Sequence, residues 1–414
     1  MIKITNSNKT IISNIFSLSI LNALNMALPL ISVPYLIATI GSANYGAYSI
    51  SYTILQYVLL IGAFGFNCTA TKQIAQNRDN KQNVSRIFYS TLFARFLLTL
   101  AASIVFLLVV LIIFPQYILL YILGLGIVFG DILNPVWIFQ GFESMKYMTI
   151  VNAVSKIVFT LLIFIFIKQP EDYVYITLLN SAGFLMAGII SIFLAIRIFR
   201  IKYTSIKLHD IFNQIREASI VFFSSAFVSL YNNSFVFILG LFLNESSIGI
   251  YAAVDKIIRA AKSITEPISV ALFPHVAKSF AGNKIKCNVD LLFKYTAKIT
   301  IPLVIISIGL FLFAPFVCNL FFKSIAEDSI VLIRLMSPLI IIGGLNYMLG
   351  IVGLINLGLQ KVWFKILIIS SISAVIVLLI TVNFLDYYSA VVSSAIAEVL
   401  IFLKAIYSLK KLSR

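Results

Sequence analysis

Charge is what this 414-residue chain has least of: Asp, Glu, Lys and Arg make up 11% of it, and two residues are histidine. A soluble domain carries about 25% charged residues, so a water-facing fold is excluded. Cysteine is scarce too. Cys68, Cys287 and Cys318 have neither metal-ligand nor disulfide spacing and read as small buried apolar side chains. His209 and His275 stand outside any Ser/His/Asp pattern, and no metal-ligand cluster or Walker loop occurs. No catalytic site and no cofactor are therefore expected, and transport would have to draw on an ion gradient, the membrane potential or the substrate gradient. Long polar connections are also missing, which argues against a glycan polymerase or ligase with an ordered outer segment.

What the chain has instead is apolar sequence: 61% of residues are hydrophobic and the mean hydropathy is +1.04. This composition predicts an all-α polytopic membrane protein. Twelve segments can each span a hydrocarbon core, which takes about 20 residues: 15–38, 46–68, 87–113, 117–139, 147–167, 173–196, 218–243, 249–272, 295–322, 330–357, 362–384 and 387–409. With the N-terminus inside, the outer connections hold only Lys168 and Lys323 among basic residues, whereas Lys72, Arg78, Lys81, Arg86, Arg197, Arg200, Lys202, Lys207 and Arg216 fall inside. Glu171, Asp172, Glu245, Glu327, Asp328 and Asp386 fall outside. This asymmetry predicts both termini in the cytoplasm and explains most of the net charge of +16 without any nucleic-acid partner. The first span is too long and too well flanked to be a cleaved signal peptide. It carries Asn22, Asn25, Pro29 and Pro34 and is either a gate helix or an ordinary kinked span.

The chain repeats itself weakly. Gly46-Ala47-Tyr48 and Gly249-Ile250-Tyr251 open the second and eighth spans at an offset of 203 positions (249 − 46), and the same offset places Arg95 on Lys298. Six spans per half predict two lobes, 1–198 and 218–414, joined by a cytoplasmic linker at 199–217, around a central cavity.

The eighth span is the oddest. Asp255, Arg259, Lys262 and Glu266 fall within about 60° of one another at 100° per residue, a single stripe on one helix face. Ionised groups at the centre of a membrane helix cost about 2.5–3.5 kcal/mol each, so the stripe must face protein or water. Its alternatives are a cavity wall or a ladder of i,i+4 ion pairs, Asp255 with Arg259 and Lys262 with Glu266. Lys156, with Asn152 one turn away in the fifth span, is a further cavity candidate. Arg95 and Lys298 either bracket the cavity from its inner side or snorkel inward. Asp131 and Glu398 are either ion-coupling sites or partners of a basic residue on another span. Asn134-Pro135 beside Asp131 predicts a break in the fourth span.

Trp137 to Ile157 (WIFQGFESMKYMTIVNAVSKI), Leu28 to Ile50 (LPLISVPYLIATIGSANYGAYSI) and Gly65 to Asn80 (GFNCTATKQIAQNRDN) resemble the polysaccharide transporter family. The resemblance is to its O-antigen repeat-unit flippases, the Wzx type within the multidrug/oligosaccharidyl-lipid/polysaccharide (MOP) exporter superfamily. GIYAAVDKIIRA, ALFPHVAKSF and the junction Gly344 to Phe364 are similar to it as well, with Val352 where the family usually has Gln and Lys72-Gln73 where an Arg is common. The resemblance implies translocation of an undecaprenyl-pyrophosphate-linked oligosaccharide from the cytoplasmic to the periplasmic leaflet of a bacterial inner membrane. It further implies spans one and seven as lateral gates and contacts with a polysaccharide polymerase and a chain-length regulator, while two lobes in a single chain, which can form a complete pathway among membrane lipids, predict a monomer that rocks by alternating access. Arg259 and Lys262 would meet the pyrophosphate. A drug or cation exporter of the same superfamily is the competing expectation, and its cavity should be acidic or aromatic.

Overall fold

The computed structural model describes residues 6–265, 269, 276, 280, 285–321 and 326–413. Among these every regular element is helical. In chain order they are α1 (Asn6–Ala63), α2 (Phe66–Gln76), α3 (Lys81–Ile113), α4 (Ile118–Ile132), α5 (Val136–Gly141), α6 (Met145–Phe166), α7 (Tyr173–Phe199), α8 (Leu208–Phe242) and α9 (Glu245–Ser263). The remainder comprises α10 (Ile285–Leu312), α11 (Ala314–Phe321), α12 (Ala326–Met336), α13 (Pro338–Tyr347), a π-helical segment (Met348–Ile355), α14 (Gln360–Leu385) and α15 (Tyr388–Ser413). An all-helical solution follows from the solvent, since in lipid each backbone N–H and C=O must be satisfied within its own segment.

Nine helices among the described residues are long and apolar enough to cross a membrane. The difference from twelve segments has local causes. Spans 15–38 and 46–68 run together as α1, bent at Gly41, whose φ of 79° is the left-handed region open to glycine. Span 218–243 lies in α8, where Asn233–Phe242 is a shorter apolar helix. Span 249–272 starts in α9, and residues 266–268 and 270–272 at its end, with Glu266, fall outside the described residues. The break expected at Asn134-Pro135 is present, separating α4 from α5. Asn side chains begin two of the helices: Asn80 Oδ1 accepts from Asn83 N–H at 3.1 Å and Asn244 Oδ1 from Ser247 N–H at 2.9 Å. Large apolar side chains such as Ile104, Leu108 and Ile112 of α3 remain exposed, as lipid-facing positions do.

The chain forms two compact units: Met1–Leu28 with Ala47–Ser229, and Pro29–Gly46 with Leu230–Arg414. In the first unit, α4 and α7 cross through small residues. A Cβ on Gly130 would lie 2.4 Å from the Phe184 carbonyl carbon, and one on Gly188 would lie 2.3 Å from the Gly130 oxygen. Trp137, Phe88, Phe139 and Ile74 form a fully buried cluster beside that crossing. In the second unit, α1 meets α9 at the repeated glycines. A Cβ on Gly46 would lie 1.9 Å from the Glu245 oxygen and a Cβ on Gly249 1.9 Å from the Ser42 oxygen, while the Ser42 and Ser246 hydroxyls share a hydrogen bond of 2.7 Å. Such small-residue contacts are how membrane helices gain van der Waals packing without a hydrophobic driving force.

Candidate functional site

In the first unit, Arg95 is carried into the interior by α3 and is 2% exposed. Its Nη2 donates to Asp131 Oδ2 on α4 at 2.6 Å, its Nε and Nη1 face the carbonyls of Gly62 and Asn134 at 3.3 and 3.4 Å, and its guanidinium lies 5.1 Å from the Trp137 ring centroid. The carbonyl of Asn134, at the break between α4 and α5, accepts from Val136 N–H at 2.9 Å and takes Arg95 as a second donor, so the Asn-Pro interruption supplies part of the arginine's cradle. From the same Asn134 the side chain continues outward: its Nδ2 donates to Asn152 Oδ1 on α6 at 3.2 Å. One turn further, Lys156 is half-buried, donates to Asn25 of α1, and lines a small pocket with Asn152, Asn180 and Phe184. Three residues singled out in the sequence, Arg95, Asp131 and Asn152, thus lie on one polar chain through Asn134, and the fourth, Lys156, shares a pocket wall with Asn152.

In the second unit, Lys262 of α9 donates to Glu398 Oε1 of α15 at 2.7 Å, and Asn346 of α13 donates to both the carboxylate (2.7 Å) and the backbone carbonyl (2.8 Å) of Glu398. Gly343 makes the room, since a Cβ there would lie 3.0 Å from Lys262 Cε and 3.1 Å from Glu398 Oε1. The sequence pairs Lys262 with Glu266; the contact the described residues give Lys262 is across helices, with Glu398. The other expected pair is present: Arg259 Nε donates to Asp255 Oδ2 at 2.5 Å. Lys256, on the flank of the stripe, lies 5.2 Å from the Tyr45 ring centroid. Lys298 is exposed on α10 and does not share the buried setting of Arg95, although the repeat aligns the two.

Three contributors escaped sequence reasoning as site residues. Trp137 reads as a packing aromatic, Asn134 as a helix breaker, and Asn346 as an unremarked amide inside an apolar span. The last had a legible signal, because a buried amide at membrane depth must be hydrogen-bonded, and a carboxylate is an effective acceptor.

A family model described as "Polysaccharide biosynthesis protein" matches residues 11–280. The chain belongs to the polysaccharide biosynthesis protein family. Two curated relatives, both named "Putative O-antigen transporter", are similar over nearly its whole length. The one from Escherichia coli (strain K12) is 27% identical over 378 residues, covering 90% of each chain. The one from Shigella dysenteriae is 27% identical over 408 residues, covering 96% of this chain and 99% of its own. Solved structures share the fold of this polysaccharide biosynthesis protein. The lipid II flippase MurJ in an inward closed conformation superposes with a TM-score of 0.74 at 14% identity, covering 95% of this chain and 89% of its own. An inward-facing multidrug resistance MATE transporter of the MOP superfamily gives 0.70 at 15% identity, covering 93% and 98%. The all-helical architecture expected from sequence is therefore the architecture observed, with the fold of these MurJ and MATE structures, and the chain is a multi-pass membrane protein.

Proposed function

We propose that this protein is a flippase moving undecaprenyl-pyrophosphate-linked O-antigen, or related surface-polysaccharide, repeat units from the cytoplasmic to the periplasmic leaflet of a bacterial inner membrane. The observation that carries the reading is the placement of cations within otherwise apolar helices of both units, Lys156 on α6 and Arg259 and Lys262 on α9. A pyrophosphate needs cations where water is scarce: Arg offers a planar fork for two oxygens, Lys a point charge. Neither is idle in this state. Asp255 holds Arg259, and Glu398 with Asn346 holds Lys262, so an arriving diphosphate would exchange one anionic partner for another rather than meet an uncompensated charge. Alternating access through a cationic path follows, with no catalytic step. A polymerase and a chain-length regulator are partners in this reading, and the protein acts as a monomer with both termini cytoplasmic.

Complementation in a strain deleted for its flippase tests the proposal. The protein should restore glycan display, and the double variant Arg259→Gln/Lys262→Gln should lose it while remaining inserted at normal abundance. Intact display from that variant would remove the cationic path. Rescue of drug tolerance without glycan display would instead support the exporter reading.

A further inference from the structure

A pocket of about 280 Å³ opens in the first unit among α2, α3 and α8. Its lining is almost wholly polar, with five carboxamides, Gln73, Asn77, Asn83, Asn213 and Gln214, and one apolar residue, Ile87. Its volume sits near the lower end of the range for small-ligand sites, about 300–1,000 Å³, but the usual apolar walls are missing.

The lining selects its ligand. A carboxamide both donates and accepts, which matches hydroxyl groups that do the same. An anion would need cations, and the pocket's one cation is already used: Arg86 clasps Asp210 through Nε at 3.1 Å and Nη2 at 2.6 Å. Glu217 adds a carboxylate to the same wall, which disfavours a phosphate further. An apolar or drug-like ligand would find only Ile87 to cover it.

One atom of the lining points to a missing donor. Gln214 Nε2 donates to Gln73 Oε1 at 2.8 Å, and Gln73 Nε2 donates to Glu217 Oε2 at 2.7 Å. The relay runs one way and leaves Gln214 Oε1 as its open end, buried and without a hydrogen-bond partner among the described residues, on a side chain that is 7% exposed. Buried carbonyl oxygens of this kind are ordinarily satisfied. A ligand hydroxyl would complete the relay.

We propose that this carboxamide pocket is a docking subsite for neutral sugar residues, through which the protein engages the glycan portion of its substrate before translocation. The inference rests on the flippase reading for the identity of the glycan. It stands on the pocket's own chemistry for the class of ligand. Residues Lys72 to Arg86 and Arg197 to Arg216, which surround it in sequence, are the basic connections that the positive-inside rule assigns to the cytoplasm, the side from which a lipid-linked glycan would be loaded.

The test is saturation-transfer NMR on the full-length protein in nanodiscs, with galactose and N-acetylglucosamine as neutral probes and glucose 1-phosphate as the anionic one. Saturation should reach the neutral sugars, not the phosphate, and fall by about three- to tenfold in Gln214→Leu and in Asn213→Ala, as expected for one lost hydrogen bond. Asn213 is exposed on the pocket wall, so that variant keeps the test alive if Gln214→Leu fails to fold. Unchanged neutral-sugar signals in a folded variant, or equal signals from glucose 1-phosphate, would overturn the proposal. Glycan display is scored in parallel. A chain that complements the deleted strain but shows no variant-sensitive sugar signal sinks the pocket and leaves the flippase. A variant-sensitive signal without complementation sinks the flippase and leaves a sugar site.

Discussion

Arg95 is the residue whose removal should be most damaging in the first unit. Arg95→Met leaves the half-buried Asp131 carboxylate without its cation and the Gly62 carbonyl without a side-chain donor, a loss of about 1–3 kcal/mol for polar groups deprived of their partner. Adding Asp131→Asn should recover a large part of it, because the stranded charge rather than the lost attraction dominates. Melting temperatures of the purified variants in detergent measure this, and strictly additive losses would show that the two residues act independently. Exposed charges obey another rule. Arg86 and the Lys207 N–H hold the Asp210 carboxyl below its ordinary value of about 3.9. A depressed folded-state value means that the clasp stabilises fully above about pH 4 and loses its contribution as pH falls through the depressed value. The wild-type protein and Asp210→Asn should therefore differ in melting temperature at pH 7 and converge as the pH falls below the depressed value; a constant gap would exclude the carboxylate as the cause. At this scale the sequence was legible for which residues are charged at membrane depth and poorly legible for their partners. Asp255 and Arg259 pair because one turn of helix guarantees proximity. The partnership of Lys262 with Glu398, 136 positions away, depends on the space at Gly343, which no local spacing encodes.

Helix elements show the same division between local and distant information. Asn134-Pro135 announces its own break, since proline removes a donor and the preceding residue leaves the helical region. The repeated Gly-x-Tyr marks equivalent positions in α1 and α9, yet only the fold reveals that the two glycines face each other. That contact makes a sharp prediction. Gly46→Leu and Gly249→Leu must push the facing backbones apart, because the first added carbon would already lie 1.9 Å from a carbonyl oxygen that has no rotamer to yield. Each should cost at least the 1–3 kcal/mol typical of overpacking, as a lowered melting temperature. Gly309→Ala in α10 is the control, since nothing lies within 4 Å of its added carbon and the gain in helix propensity, about 1 kcal/mol, should leave the protein as stable or more so. Equal loss at all three positions would mean that the helices are simply intolerant of substitution.

For the whole molecule, the question left to the charge pattern is orientation. The two units are built from packed helices that would be stable either way up, so packing does not choose the sign of insertion. The net charge of +16 does, because its basic residues gather in alternate connections while the opposite connections carry mainly acids. Two single-cysteine variants read this out in a background with Cys68, Cys287 and Cys318 replaced. Lys168→Cys lies in the short connection between α6 and α7, and Lys202→Cys in the extended segment between α7 and α8; both positions are exposed. A membrane-impermeant maleimide should label position 168 in intact cells and reach position 202 only after the inner membrane is opened. Because a single helix, α7, separates the two sites, the result cannot be the same for both if that helix spans. The reverse pattern would turn the whole topology over and place the carboxamide pocket on the side where the glycan is released, making it an exit subsite instead of a loading one.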